Sequence, residues 1–242
     1  MTDEATGVSE HQEIPRPSLI IRAMTPTEEM NYLWFVLKRV PFYQTNGYTF
    51  EIPDHPKFQE IASFTIPPSE VEKKAIEELF YDQIYKPGHY QPGIVALERE
   101  RPKIEQAFLT MAELHRAWGF KMLPQYSLLL TRYGPGEKCD EDTGQVIMLT
   151  TQNGTFKRAH PAGTPIHEII HIGINGIARN FRLTHWERER LVDLISSQKF
   201  ADILPGYEMQ GKGDSRIDPY ITAEFDDLPK ALANYTRDFP RD

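Results

Sequence analysis

The chain has a single cysteine, Cys139, in 242 residues. An internal disulfide is therefore ruled out, and the pattern fits a reducing compartment. A zinc site built on a cysteine cluster is ruled out too, so any metal must be held by histidines and carboxylates. Positive charge is also scarce: Lys and Arg number 27 against 35 Asp and Glu, a net charge of −8. That argues against a general nucleic-acid or anionic-membrane binder, because both need a basic surface. No run approaches the ~20 apolar residues needed to span a bilayer. The opening residues Met1 to Gly7 lack the basic and apolar regions of a secretory signal. The expectation is a cytoplasmic protein with neither nucleic acid nor membrane as partner. A hydrophobic content of 40% and a charged content of 26% are enough for an ordinary globular core, and the length suits one domain.

What the chain does have is His167-Glu168-Ile169-Ile170-His171, an H-E-x-x-H run inside an apolar stretch. Histidines four apart lie on one face of a helix, one turn from each other, so both imidazoles reach one metal ion. Glu168 then faces the metal and can take a proton from bound water. Thr164 and Pro165 provide a helix start, and Asn175-Gly176 a stop. Ile166, Ile169, Ile170, Ile172 and Ile174 are apolar on more than one side, so this helix is expected to be buried. Two buried histidines and a glutamate each need a partner or cost ~1–3 kcal/mol or more. A shared metal satisfies all three.

A third ligand has to come from elsewhere. In the pattern H-E-x-x-H-x-x-G-x-x-H, positions 174 and 177 would be Gly and His; here they are Ile174 and Ile177. The alternative is a glutamate on the next helix, read from Thr184 to Ile195. Thr184-x-x-Glu187 is a capping box, which gives Glu187 a local role. Glu189 has no such role, and Asp193 follows one turn later on the same face, placed to accept the N–H of a ligand histidine. Glu189 is the expected third ligand, with Glu187 as rival and His185 after it.

Upstream, the periodicity predicts helices over residues 26–39, 69–85 and 94–118, with Pro102 as a candidate break and Gly119 as a C-cap. Residues 42–66 read as irregular. Residues 126–133 and 146–151 read as strands, with Asn153-Gly154 as a hairpin signal and 156–159 as a short returning strand. From about Ile203 the chain reads as loops, with one short helix near residues 228–235.

His167-Glu168-x-x-His171 followed by Glu189-x-x-x-Asp193 on a second helix resembles the gluzincin class of zinc metallopeptidases. The likeness covers residues 126–200, under a third of the chain. Together with the upstream helices it implies an α+β fold: an N-terminal helical layer, a small, mostly antiparallel sheet, the motif helix and the glutamate helix, the last three a minimal zincin-like core. Residues 1–17 are polar, end in Pro15-Arg16-Pro17 and read as a disordered tail; with the likeness, the remainder reads as one metallopeptidase-like domain (18–242). That domain would comprise a helical part (18–120), the core (121–200) and a loop-rich extension (201–242). It implies one Zn2+ per chain on His167, His171 and Glu189. It also implies an edge strand that binds extended peptide, and Glu168 as the catalytic general base for a water whose pKa zinc lowers toward ~7. An oxyanion donor would come from Tyr133, His160, His185, Tyr207 or Tyr220. Two other classes stay open: a zinc hydrolase of non-peptide substrates, and a regulatory protein whose zinc is structural or latent, closed by a fourth ligand such as His185 or His160.

Overall fold

A computed structural model describes residues 16–63, 69–156 and 160–241. Residues 1–15 of the expected tail and residues 157–159 of the expected returning strand lie outside the described residues. The chain is α+β, with a four-stranded sheet in the order β1-β2-β4-β3. Its strands are β1 (Ser18–Ala23), β2 (Gln125–Thr131), β3 (Lys138–Cys139) and β4 (Gln145–Leu149). The expected antiparallel sheet is corrected here: β1 and β2 pair parallel, as do β2 and β4, and only β3 runs antiparallel to β4. The reason lies in the residues 132–144. They carry the chain past β4 to the sheet edge and return it through a tight turn, as parallel neighbours require. The pattern of β2 is the signature of such a strand, since Tyr126 to Thr131 are all buried rather than alternating.

The helices are α1 (Pro26–Leu37), α2 (Val40–Thr45), α3 (Pro56–Ser63), α4 (Glu70–Leu79), α5 (Gln91–Trp118), α6 (Gly163–Asn180), α7 (His185–Lys199), α8 (Asp218–Ala223) and α9 (Leu228–Asp238). Thr25 and Ser69 cap α1 and α4 with complete capping boxes. Helix α4 runs on into a π turn, Phe80–Ile84. Pro102 does not break α5, which is continuous to Gly119, a left-handed C-cap at φ 74°. Three segments depart from the expectation. The helical part also contributes a strand, β1; the irregular stretch holds α2 and α3; and the loop-rich extension holds α8 in addition to the expected C-terminal helix, α9. Among the described residues, the Asn153-Gly154 turn closes an isolated bridge, Thr150 to Phe156.

Helix α6 packs against β3 and β4, α5 packs against β1 and α6, and α7 lies on α6. The close fit of α6 depends on Gly173: a β-carbon there would sit 1.9 Å from the ring of Phe120, which is fully buried. The helix is longer than its sequence signals suggest. It begins before Thr164 and passes through Asn175-Gly176, because burial of its isoleucines outweighs the local stop.

One buried carboxylate ties α1 to the sheet away from the motif. Glu29 Oε1 accepts from Tyr90 Oη, Thr131 Oγ1 and the Arg132 amide, each at 3.0 Å. Its Oε2 has no hydrogen-bond partner among the described residues. Burial outweighs these bonds and pushes its pKa from 4.5 up to about 7. The folded state therefore holds a proton that the unfolded chain releases, so stability falls as pH rises from about 4.5 to 7 and is flat above. Glu29→Gln, which cannot ionise, should gain about 3 kcal/mol relative to the wild type across that window. Urea denaturation at both ends of the window measures this, and parallel pH profiles would refute it.

Candidate metal centre

Helices α6 and α7 bring His167, His171 and Glu189 together. Helix α7 starts as the sequence predicts: Thr184 Oγ1 accepts from the Glu187 amide, and Glu187 Oε2 accepts from the Thr184 amide. The remaining Glu187 oxygen accepts from Tyr235 and from Arg241, the latter at 2.8 Å. Glu187 is thus fully engaged in joining α7 to the C-terminal helix and is not part of the cluster. Glu189, two residues on, faces α6.

The geometry suits a small divalent ion. His167 Nε2 and His171 Nε2 are 3.1 Å apart. Glu189 Oε1 is 3.4 Å from His171 Nε2, and its Oε2 is 3.6 Å from His167 Nε2. A tetrahedral ion with bonds of about 2.0–2.2 Å sets ligand atoms about 3.3–3.6 Å apart; the two carboxylate contacts, each through a different Glu189 oxygen, fall in that range, and the His–His distance is slightly shorter. Two imidazoles and one carboxylate suit zinc and other first-row divalent metals alike.

The electrostatics favour a cation. Burial would raise the Glu189 pKa, but the hydrogen bonds of His167 and His171 outweigh it and hold the carboxylate ionised. Burial would lower the His171 pKa, but Glu189 and Glu168 reverse that and raise it. Glu168 is pushed the other way, upward, chiefly by burial and also by the Glu189 and Glu137 charges.

Asp193 lies 3.7 Å from His167 Nδ1, beyond direct hydrogen-bonding reach. Tyr207 bridges them: its hydroxyl lies 2.7 Å from His167 Nδ1 and donates to Asp193 Oδ1 at 2.8 Å. A hydroxyl has one proton, and here Asp193 takes it. The Nδ1 contact is therefore an N–H donated to Tyr207 Oη, which turns Nε2 of His167 toward the cluster.

A cleft of about 940 Å³ opens over the cluster. Glu168, His160, His185 and Tyr207 line it; Tyr133 and Tyr220 do not. Tyr133 is buried against Phe80, and Tyr220 bonds Asp238. Two neighbours of the site carry no signal in the sequence. Cys139, on the edge strand β3, is near enough to Glu168 that burial, together with that carboxylate, pushes its thiol pKa up. Gln210 reaches the cluster from the loop after α7, with Nε2 3.1 Å from Glu189 Oε2 and 3.3 Å from His167 Nε2.

Among the described residues, no helix is long and apolar enough to cross a membrane. No family model matches the chain, and no curated protein or solved structure matches it either.

Proposed function

We propose that this chain is a zinc-dependent peptidase. The observation that carries the reading is the cluster of His167, His171 and Glu189, close enough to share one metal ion, with Glu168 beside it in the same cleft. Zinc held there would polarise a scissile carbonyl and bring the pKa of a bound water toward ~7. Glu168 acts as general base and then returns the proton to the leaving amine. Its raised pKa brings it nearer to neutrality, which suits that exchange. The Asp193–Tyr207 pair orients His167 and makes it a stronger ligand. The edge strand β3 offers an extended peptide a backbone partner beside α6. His160 and His185 are the cleft residues able to face a developing oxyanion, since the Tyr207 proton is held by Asp193.

The test is elemental analysis of the wild type beside His171→Ala, Glu189→Ala and Glu187→Ala. About one zinc per chain is expected in the wild type, since the site has one set of ligands. His171→Ala and Glu189→Ala should lose it, and Glu187→Ala should keep it while being less stable to heat. No metal in the wild type after zinc is supplied would sink the reading. Metal retained in Glu189→Ala and lost in Glu187→Ala would overturn the ligand assignment.

A further inference from the structure

The loop between α7 and α8 does more than cover the cleft. Both oxygens of Asp193 hold it: Oδ1 accepts from Tyr207 Oη at 2.8 Å, and Oδ2 accepts from the Gln210 backbone amide at 2.6 Å. Asp193 is fully buried, so the segment from Tyr207 to Gln210 is fixed at both ends on the helix that carries Glu189. Held this way, the Gln210 side chain has its amide head 3.1 Å from Glu189 Oε2 and 3.3 Å from His167 Nε2. Both are atoms that would ligate the ion. The fourth corner of a tetrahedron lies at the same distance from the other three, about 3.3–3.6 Å for zinc. The amide head therefore stands at about the spacing of a further corner from two of the three, Glu189 Oε2 and His167 Nε2.

A half-turn about the last side-chain torsion exchanges the amide nitrogen for the oxygen at nearly the same place. With a cation between the three ligands, the oxygen end is the one attracted to that corner. We propose that Gln210 is a displaceable fourth ligand: its amide oxygen closes the metal site at rest and swings out when an oxygen-donor ligand arrives. The proposal rests on the metal-site reading above. The ligands expected to displace Gln210 are carbonyl and hydroxamate oxygens. Displacement needs only side-chain rotation, because the backbone of Gln210 stays on Asp193. A plug in place about nine-tenths of the time would weaken the apparent affinity for such a ligand about tenfold.

Cobalt(II), loaded in place of zinc, reports the coordination shell through its visible absorption, and acetohydroxamate is the probe ligand. Wild type, Gln210→Ala and Gln210→Asn are compared; Asn keeps the amide but is one methylene too short to reach. The expected result is equal cobalt content in all three, a changed visible spectrum in both variants, and acetohydroxamate binding about tenfold tighter than in the wild type. Identical spectra and equal acetohydroxamate affinities across the three proteins would overturn the proposal while leaving the metal site intact. Failure of the wild type to bind cobalt or zinc would remove the metal site itself, and the proposal with it.

Discussion

Glu168→Gln is expected to retain one metal ion per chain while losing about 10²- to 10⁴-fold in peptide hydrolysis, the usual contribution of a positioned general base. Glutamine matches glutamate in shape, so the fold and the triad should be undisturbed. What it cannot do is take a proton. Metal content, thermal melting and turnover of a peptide library, measured on the same preparation, separate the two effects. Full activity in the variant would refute the assigned role. Loss of metal together with activity would show that Glu168 holds the site rather than working in it.

Gly173→Ala should be strongly destabilising for a single added methyl group. The added carbon would lie 1.9 to 2.2 Å from three atoms of the Phe120 ring, where contacts under 3 Å cannot persist. The ring is fully buried, and the amide of Lys121, next to it, donates to Gly173 O at 2.8 Å, so neither side can yield easily. Overpacking of this kind costs about 1–3 kcal/mol and sometimes more. We expect about 3 kcal/mol by urea denaturation, with part recovered in the double variant Gly173→Ala/Phe120→Leu, whose shorter side chain makes room. Additive losses in the double variant would show that the ring is not the obstacle. The effect should also reach the metal, because Gly173 lies two residues beyond His171 on α6. Weaker zinc retention is therefore expected beside the lower stability.

How far the sequence discloses the site depends on how local each signal is. His167, Glu168 and His171 are readable because their geometry follows from the period of one helix. Glu189 could be separated from Glu187 because a capping box is also local, and Thr184 carries it. Asp193 was readable as a partner of His167, but the contact runs through Tyr207, fourteen residues further on in a loop without periodicity. Gln210 and Cys139 had no signal, since tertiary packing alone brings them to the cluster. The same holds for the fold. The capped helices α1, α4 and α7 were legible. Strand β1 was not, because six residues acquire meaning only beside β2. The direction of pairing was missed because a turn signal at Asn153-Gly154 suggested a hairpin, whereas the buried run of β2 belonged to a parallel centre.

The parallel pairing of β1 with β2 also sets the order in which the molecule assembles. Ser18 meets Gln125 across a separation of 107 positions (125 minus 18). Closing so long a loop must precede any gain from the pairing, which makes this contact a slow one. The α6–α7 hairpin is the opposite case: its three ligands fall within 23 consecutive residues, 167 to 189. The hairpin that assembles the His167–His171–Glu189 cluster is therefore expected to form fast, and the sheet beneath it late. A refolding experiment should show ligand-dependent signals ahead of sheet closure, with the edge strands exposed in the interval.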